Sequence, residues 1–211
     1  MGLRAVMDSD ARQWNFEKLN LTLSAEADLS AEVAAFRAQI FASVYESKRY
    51  ADVEDLIDSH SLHIVMRIAR KVSAYSRITT GKFLVVSYFT EGLAELPSTP
   101  DTWSLGRGSV GAEWRRAELL TVVVIEGIRQ CRLRGAGHIV GAVPPSEKAL
   151  ATIQRSLMRP AGAVVPSGHP DQKVPHQPVI HTCAEYSDSE IIEHRDAAVE
   201  RSLRLLSLRS S

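Results

Sequence analysis

Two apolar runs, Leu62 to Ile68 and Val72 to Ile78, are separated only by Ala69-Arg70-Lys71. Runs of this length, rich in branched residues and joined by so short a turn, predict an antiparallel strand pair. The pair restricts the chain to folds built around a sheet. The second run carries Arg77 near its end, followed at once by Thr79, Thr80 and Gly81. A further short strand is predicted over Trp103 to Val110, with Arg107 between two glycines. Arginine stays charged and presents a rigid fork of donors, so burying it without a partner is costly. Two strands that each bring an arginine into mostly apolar surroundings predict a site for something anionic or carbonyl-bearing. The structural alternative is that Arg77 and Arg107 pair with Asp or Glu in the core.

The other elements follow from periodicity and punctuation. Residues 1–29 are polar and weakly periodic and read as an N-terminal lead, flexible or packed as an arm, with the main domain over 30–211. Ser30 is a candidate cap for a helix whose Val33, Ala34, Phe36, Ile40, Phe41 and Val44 recur at helical spacing. Phe83 to Phe89 has strand propensity, and 92–102, with Pro97 and Pro100, reads as a loop. A long helix is predicted from Ala112 to Arg134, with Ala117, Leu120, Val124, Ile128 and Cys131 on one face. Arg115, Glu126, Arg129 and Arg132 lie elsewhere on it, and Gly135 stops it. His138 to Val143 is a short buried strand. Pro145 and Ser146 open a helix that ends before Pro160, Pro178 to Tyr186 is a strand, and Ser187 caps a C-terminal helix. This order predicts a single mixed α/β domain, its twisted sheet flanked by helices.

Composition narrows the function. The 211 residues carry no formal net charge, so no global field draws the chain to nucleic acid or to a membrane surface. Cys131 and Cys183 form no C-x-x-C pair and read as reduced core residues. With no secretory leader and no apolar run of membrane-spanning length, a cytoplasmic protein is expected. His60 and His63 in H-S-L-H give only a superficial hint of metal, because that stretch enters a strand, and no metal is expected. The arginines at 115, 116, 129, 132, 134 and 155 read either as a docking face for an acidic carrier protein or as a helix's wet surface.

Arg77, Thr79-Thr80-Gly81, Phe83-Leu84-Val85 with Phe89, and Trp103-Ser104-Leu105-Gly106-Arg107-Gly108-Ser109-Val110 occur in one order. In that order they resemble the acyl-homoserine-lactone synthases, the autoinducer synthases of the GNAT acyltransferase superfamily. Arg37 and Phe41 match the family's Arg-x-x-x-Phe on the first helix. The resemblance covers roughly residues 33 to 186 and implies a GNAT-like α/β fold. It implies that 83–89 is a short helical or irregular piece rather than a strand. The chain departs from the family pattern at several positions. Ser104 replaces a glutamate, Gly106 a serine and Ser47 an aromatic residue, and Ile78 stands alone where the family has Leu-Leu-Pro. The family's acidic motif survives as a cluster in which either Asp55 or Asp58 is the last member.

What the resemblance implies is acyl transfer for quorum-sensing signal synthesis. An acyl chain passes from acyl carrier protein or acyl-CoA to the amine of S-adenosylmethionine, and lactonisation follows. Both are substrates, and no permanently bound cofactor is implied. Pantetheine would lie between two splayed strands. Arg77 and Arg107 would organise the site and bind the acceptor's carboxylate, and Arg37 with Asp55 or Asp58 would form an ion-pair network. Phe41 and Trp103 would contact substrate. Ser104 and Arg107 take the catalytic positions, although a serine cannot replace a glutamate as proton acceptor, so water or an acid such as Glu113 would serve. The alternatives are an N-acyltransferase for an amino acid or other small amine, and a non-catalytic ligand-binding relative.

Overall fold

The computed structural model describes residues 12–16, 19–45, 57–80, 96–97, 99–115, 117–166 and 175–207. Eight strands form one sheet in the order β1-β2-β3-β4-β5-β6-β8-β7. They are β1 (Arg12–Phe16), β2 (Leu19–Glu26), β3 (Ser61–Ile68), β4 (Lys71–Thr80), β5 (Thr102–Val110), β6 (His138–Val143), β7 (Arg159–Pro160) and β8 (Gln177–Thr182). Every pairing is antiparallel except β5 with β6. The described helices are α1 (Ala31–Tyr45), α2 (Leu119–Arg132), α3 (Glu147–Arg155) and α4 (Asp188–Ser207). The mixed, mostly antiparallel sheet flanked by helices is the architecture expected from the sequence.

Local signals place several elements. The predicted hairpin is present, with β3 and β4 joined at Ala69 and Arg70, both at positive φ (49° and 69°). A two-residue turn with both φ positive matches the twist of the flanking strands; Lys71 already belongs to β4. Ser30 accepts from the Val33 amide, as the predicted cap. Ser146 does the same for Ala149 at the start of α3. Ser187 accepts from the Glu190 amide while Glu190 accepts from the Ser187 amide, a reciprocal capping box. Such caps each stabilise a helix by roughly 1 kcal/mol.

Part of the N-terminal lead is packed into the sheet: β2 pairs along β3, and its Leu21 and Leu23 lie in the main core. Three expectations need correction. The long helix starts at Leu119, not Ala112, because Ala112–Trp114 form a 3-10 turn and Glu118 takes a left-handed φ of 53° before the helix opens. Nor does that helix have a wet face at Glu126 and Arg129; both are buried. The last strand is also shorter than predicted, ending at Thr182 before a 3-10 turn over Cys183–Glu185. Phe83 to Phe89 lies outside the described residues, as does most of the 92–102 loop.

Strand alternation gives the sheet two unlike faces. Leu62, Ile64, Met66, Ala74, Ile78, Trp103, Leu105 and Ile139 point to one side and form the main core with α2 and α4. Glu126 on α2 accepts from Arg129, Gln130 and Arg195, and Arg195 fastens α4 to α2. Removing one partner of such a buried group leaves the others uncompensated. The opposite face carries Ser61, His63, Tyr75, Arg77, Thr79 and Ser104, which the pairing register sets side by side. There α1 packs Val33 against Val65, Val72 and Tyr75.

β5 and β6 pair only from Thr102↔His138 to Ser104↔Val140, yet β5 continues to Val110 and β6 to Val143. The ladder therefore ends inside the sheet. At that point a Cβ built on Gly141 would lie 2.9 Å from the Leu105 carbonyl oxygen. That contact is too close for a side chain without backbone movement, so Gly141→Ala is expected to destabilise the protein by about 1–3 kcal/mol in urea unfolding. An unchanged midpoint would mean the strands separate elsewhere.

Candidate active site

Asp58, in a 3-10 turn (Asp58–His60) immediately before β3, is the centre of the polar face. Arg37 on α1 grips it with two bonds, Nη1 to Oδ1 at 2.8 Å and Nη2 to Oδ2 at 2.6 Å. Arg77 on β4 adds a third, Nη1 to Oδ1 at 2.9 Å. All three side chains are buried, with 6%, 4% and 5% of Arg37, Asp58 and Arg77 exposed. Burial alone would raise the Asp58 carboxyl, but hydrogen bonds from the two guanidiniums outweigh it and bring it down to about 2. The same carboxylate raises Arg37 against the opposing effect of burial. Asp58 is therefore a fixed anion and not a proton acceptor at neutral pH.

His63 and Tyr75 complete the cluster. Tyr75 OH lies 2.9 Å from His63 Nδ1, and His63 Nε2 lies 3.2 Å from the Asp58 carbonyl oxygen. The two rings stack 5.9 Å apart. Burial lowers His63 and raises Tyr75 to about 12, so both are neutral near pH 7. Neither residue was singled out in the sequence as part of an arginine site. The available signal was period two: Tyr75, Arg77 and Thr79 share a strand face, as do Ser61 and His63.

Beside this cluster, the register sets Ser61 (β3), Thr79 (β4), Ser104 (β5), Val140 (β6) and Ile180 (β8) in one row across the sheet. Ser61 Oγ and Thr79 Oγ1 are 3.0 Å apart, and Ser61 also donates to the Ile57 carbonyl. Ser104, half-buried, sits at the last rung of the β5–β6 ladder. The row turns apolar at Val140 and Ile180, which pack with Leu96. Two residues further along β5 the register against β4 shifts, and Arg107 adopts a φ of 57°, a left-handed conformation uncommon outside glycine. Its guanidinium lies 5.2 Å from the centre of the Phe41 ring, a cation–π contact that joins β5 to α1.

The structure thus brings together Arg37, Phe41, Asp58, Arg77, Ser104 and Arg107 around one face. Of the two acidic candidates, Asp58 takes the ion pairs, while Asp55 lies outside the described residues. Trp103 is not with them: alternation along β5 turns it to the other face, into the main core, so a substrate contact there is withdrawn. Arg77 is paired with an acid, as the structural alternative held, and that acid belongs to the same cluster. The arginine set read as a docking face is largely consumed internally. Arg129 binds Glu126, and Arg132 binds the Cys183 and Tyr186 carbonyls and Asp188. Arg134 binds Gln130 and Arg155 pairs with Glu118, while Arg116 lies outside the described residues. Glu113 is exposed on the turn after β5.

A sheet antiparallel except for one parallel pair that parts midway, with a long helix behind it, is a GNAT-like α/β fold. Solved structures bear this out. TofI, in a complex with an inhibitor and MTA, aligns with a TM-score of 0.59 at 16% identity, over 86% of this chain and 98% of that one. The CoA-dependent acyl-homoserine lactone synthase BjaI, with SAM and isopentyl-CoA, aligns with a TM-score of 0.60 at 14% identity, over 81% and 80%. An acyl-CoA N-acyltransferase from Pseudomonas aeruginosa aligns with a TM-score of 0.54 at 15% identity, over 78% and 99%. No protein-family model and no curated protein matches the sequence.

Asp58→Asn would remove the buried carboxylate that both guanidiniums bind, a loss of about 3–5 kcal/mol in denaturant unfolding. In the native protein the Asp58 carboxyl is lowered from 3.8 to about 2, so it contributes about 2 kcal/mol above pH 4. That contribution disappears as pH falls from about 4 through 2, and the acid dependence should flatten in Asp58→Asn. An unchanged acid limb in the variant would contradict the assignment.

Proposed function

We propose that this protein is an N-acyltransferase that moves an acyl chain from a thioester, on acyl-CoA or acyl carrier protein, to the amine of S-adenosylmethionine, giving an acyl-homoserine-lactone signal. The supporting observation is the end of the β5–β6 ladder beside the Arg37–Asp58–Arg77 cluster. Beyond Ser104 and Val140 each strand turns an edge toward the other without a ladder bond. A thin, amide-rich pantetheine arm fits such an edge, and its thioester carbonyl would meet backbone N–H donors of β5.

In the reaction, the acceptor nitrogen attacks the thioester carbon, a C–N bond forms and the C–S bond breaks. The amine gives up a proton and the departing thiolate takes one. Lactonisation then forms a bond from the carboxylate oxygen to the γ-carbon while the bond from that carbon to the sulfonium breaks, and methylthioadenosine leaves. Arg77 and Arg107 hold the acceptor's carboxylate, and Phe41 forms a wall of its pocket. A serine hydroxyl is too weak a base for the proton, and Asp58 is held ionised at about 2. Ser104 therefore acts by positioning a water that carries the proton away. Signal synthesis of this kind belongs in the cytoplasm, where both substrates are made; no described helix is long and apolar enough to cross a membrane.

One observation favours a second reading. Ser104 stands where the resembling family has a glutamate on the acceptor side, while the thioester side keeps its geometry. The acceptor would then be an amino acid or another small amine. A non-catalytic, ligand-binding relative is the third possibility. Purified protein is to be incubated with S-adenosylmethionine and a panel of acyl-CoA and acyl-carrier-protein thioesters, following thiol release and products by mass spectrometry. Lactone with multiple turnovers is expected. Acylation of a different amine without lactone moves the assignment to the second reading, and thiol release no faster than hydrolysis in buffer removes both enzymatic ones.

A further inference from the structure

Two hydrogen bonds lead from Tyr75 through His63 to Asp58, and their chemistry fixes every proton along them. The Asp58 carbonyl can only accept, so His63 Nε2 carries a hydrogen and donates at 3.2 Å. His63 Nδ1 is then the bare nitrogen of a neutral ring and accepts from the Tyr75 hydroxyl at 2.9 Å. The Asp58 side chain carries the relay on to Arg37 through two carboxylate bonds and to Arg77 through a third. The relay thus runs from Tyr75 to His63 to the Asp58 backbone, and out through the Asp58 side chain to both guanidiniums. It joins α1, the 3-10 turn, β3 and β4, with the histidine itself fully buried.

We propose that His63 and Tyr75 are positioning residues: through this relay they hold Asp58, and with it the Arg37 and Arg77 guanidiniums, in the pose that receives the acceptor's anionic group. The inference rests on the acyltransferase reading for its substrate, but the relay is a property of the protein with or without that activity. An imidazolium at His63 would put a second donor against Tyr75. The tyrosine would have to give up its own donation, and the relay would open. Among the described residues, the charged and titratable groups facing His63 are Asp58 from the turn, Tyr75 and Arg77 from β4 and Arg37 from α1. Glu26 stands opposite in the β2 register and is spent on Arg67. Burial and the two arginines oppose protonation, while the Asp58 charge favours it.

The test uses the full chain and two variants, Tyr75→Phe and His63→Gln. The phenylalanine keeps the ring shape and loses the hydroxyl; the glutamine retains only one of the imidazole's two contacts. Melting curves and circular dichroism check that each variant folds. With acyl-CoA and S-adenosylmethionine, both variants are expected to raise KM for the acceptor about tenfold while kcat falls less than about threefold, the size of one lost bond to a charged group. In wild type the acceptor KM should stay flat down to about pH 6 and rise only below the ordinary histidine range. Nitrogen-15 spectra of the histidines supply a readout that needs no activity. His63 should show the Nε2–H tautomer from pH 7.5 to 5.5, and Tyr75→Phe should let it titrate or change tautomer.

Folded variants with an unchanged acceptor KM overturn the positioning role. A protonated or Nδ1–H His63 at neutral pH overturns the relay itself. Wild-type protein that transfers no acyl group to any amine defeats the acyltransferase reading separately. In that case calorimetric binding of S-adenosylmethionine to wild type and Tyr75→Phe decides positioning, with equal affinities counting against it.

Discussion

The bidentate pairing of Arg37 with Asp58, and the third bond from Arg77, hold the polar side of this fold together. Burial would raise that carboxyl, and the hydrogen bonds from the two guanidiniums outweigh it and keep it an anion. Each arginine in turn gains from that carboxylate a buried counter-charge. The result is a shared ion-pair floor linking α1, the turn before β3, and β4. Asp58 is thereby held ionised at neutral pH.

The two faces of the sheet divide labour by strand alternation. One face is an aliphatic core beneath α2 and α4, fastened by Glu126 and Arg195. The other has hydroxyls and the His63–Tyr75 pair around Arg77, then turns aliphatic at Val140 and Ile180, beyond the rung where β5 and β6 part. A thioester substrate has the same order of character, polar around the reacting carbonyl and apolar along its chain. The polarity of the row and the break in the ladder therefore coincide at Ser104.

Much of this was legible in the sequence where the signal was local. The hairpin followed from two apolar runs and a short turn, and the helix starts at Ser30, Ser146 and Ser187 from capping chemistry. Arg77 emerged from the strand pattern, and Arg37 from a family resemblance. The acidic cluster left Asp55 and Asp58 unresolved because charge spacing in a loop carries no register; only the fold brings one carboxylate between two guanidiniums. Glu126 and Arg129 were assigned to an outer face because charge normally means solvent, and mutual pairing overrode that rule. Trp103 was placed in the site by its neighbours in the motif, but its parity along β5 sends it to the core. The alternation of Leu19, Leu21 and Leu23 did mark β2, although the polar residues around it read as a lead.

The central claim is that acceptor and thioester meet on the Asp58 face where β5 leaves β6. A crystal structure of the protein with S-adenosylmethionine and a non-hydrolysable acyl-CoA analogue tests it most directly. The account predicts the acceptor's carboxylate at the guanidiniums of Arg77 and Arg107 and the thioester mimic against the β5 edge beyond Ser104. Either ligand bound on the opposite face, or an acceptor anchored away from both arginines, would contradict it.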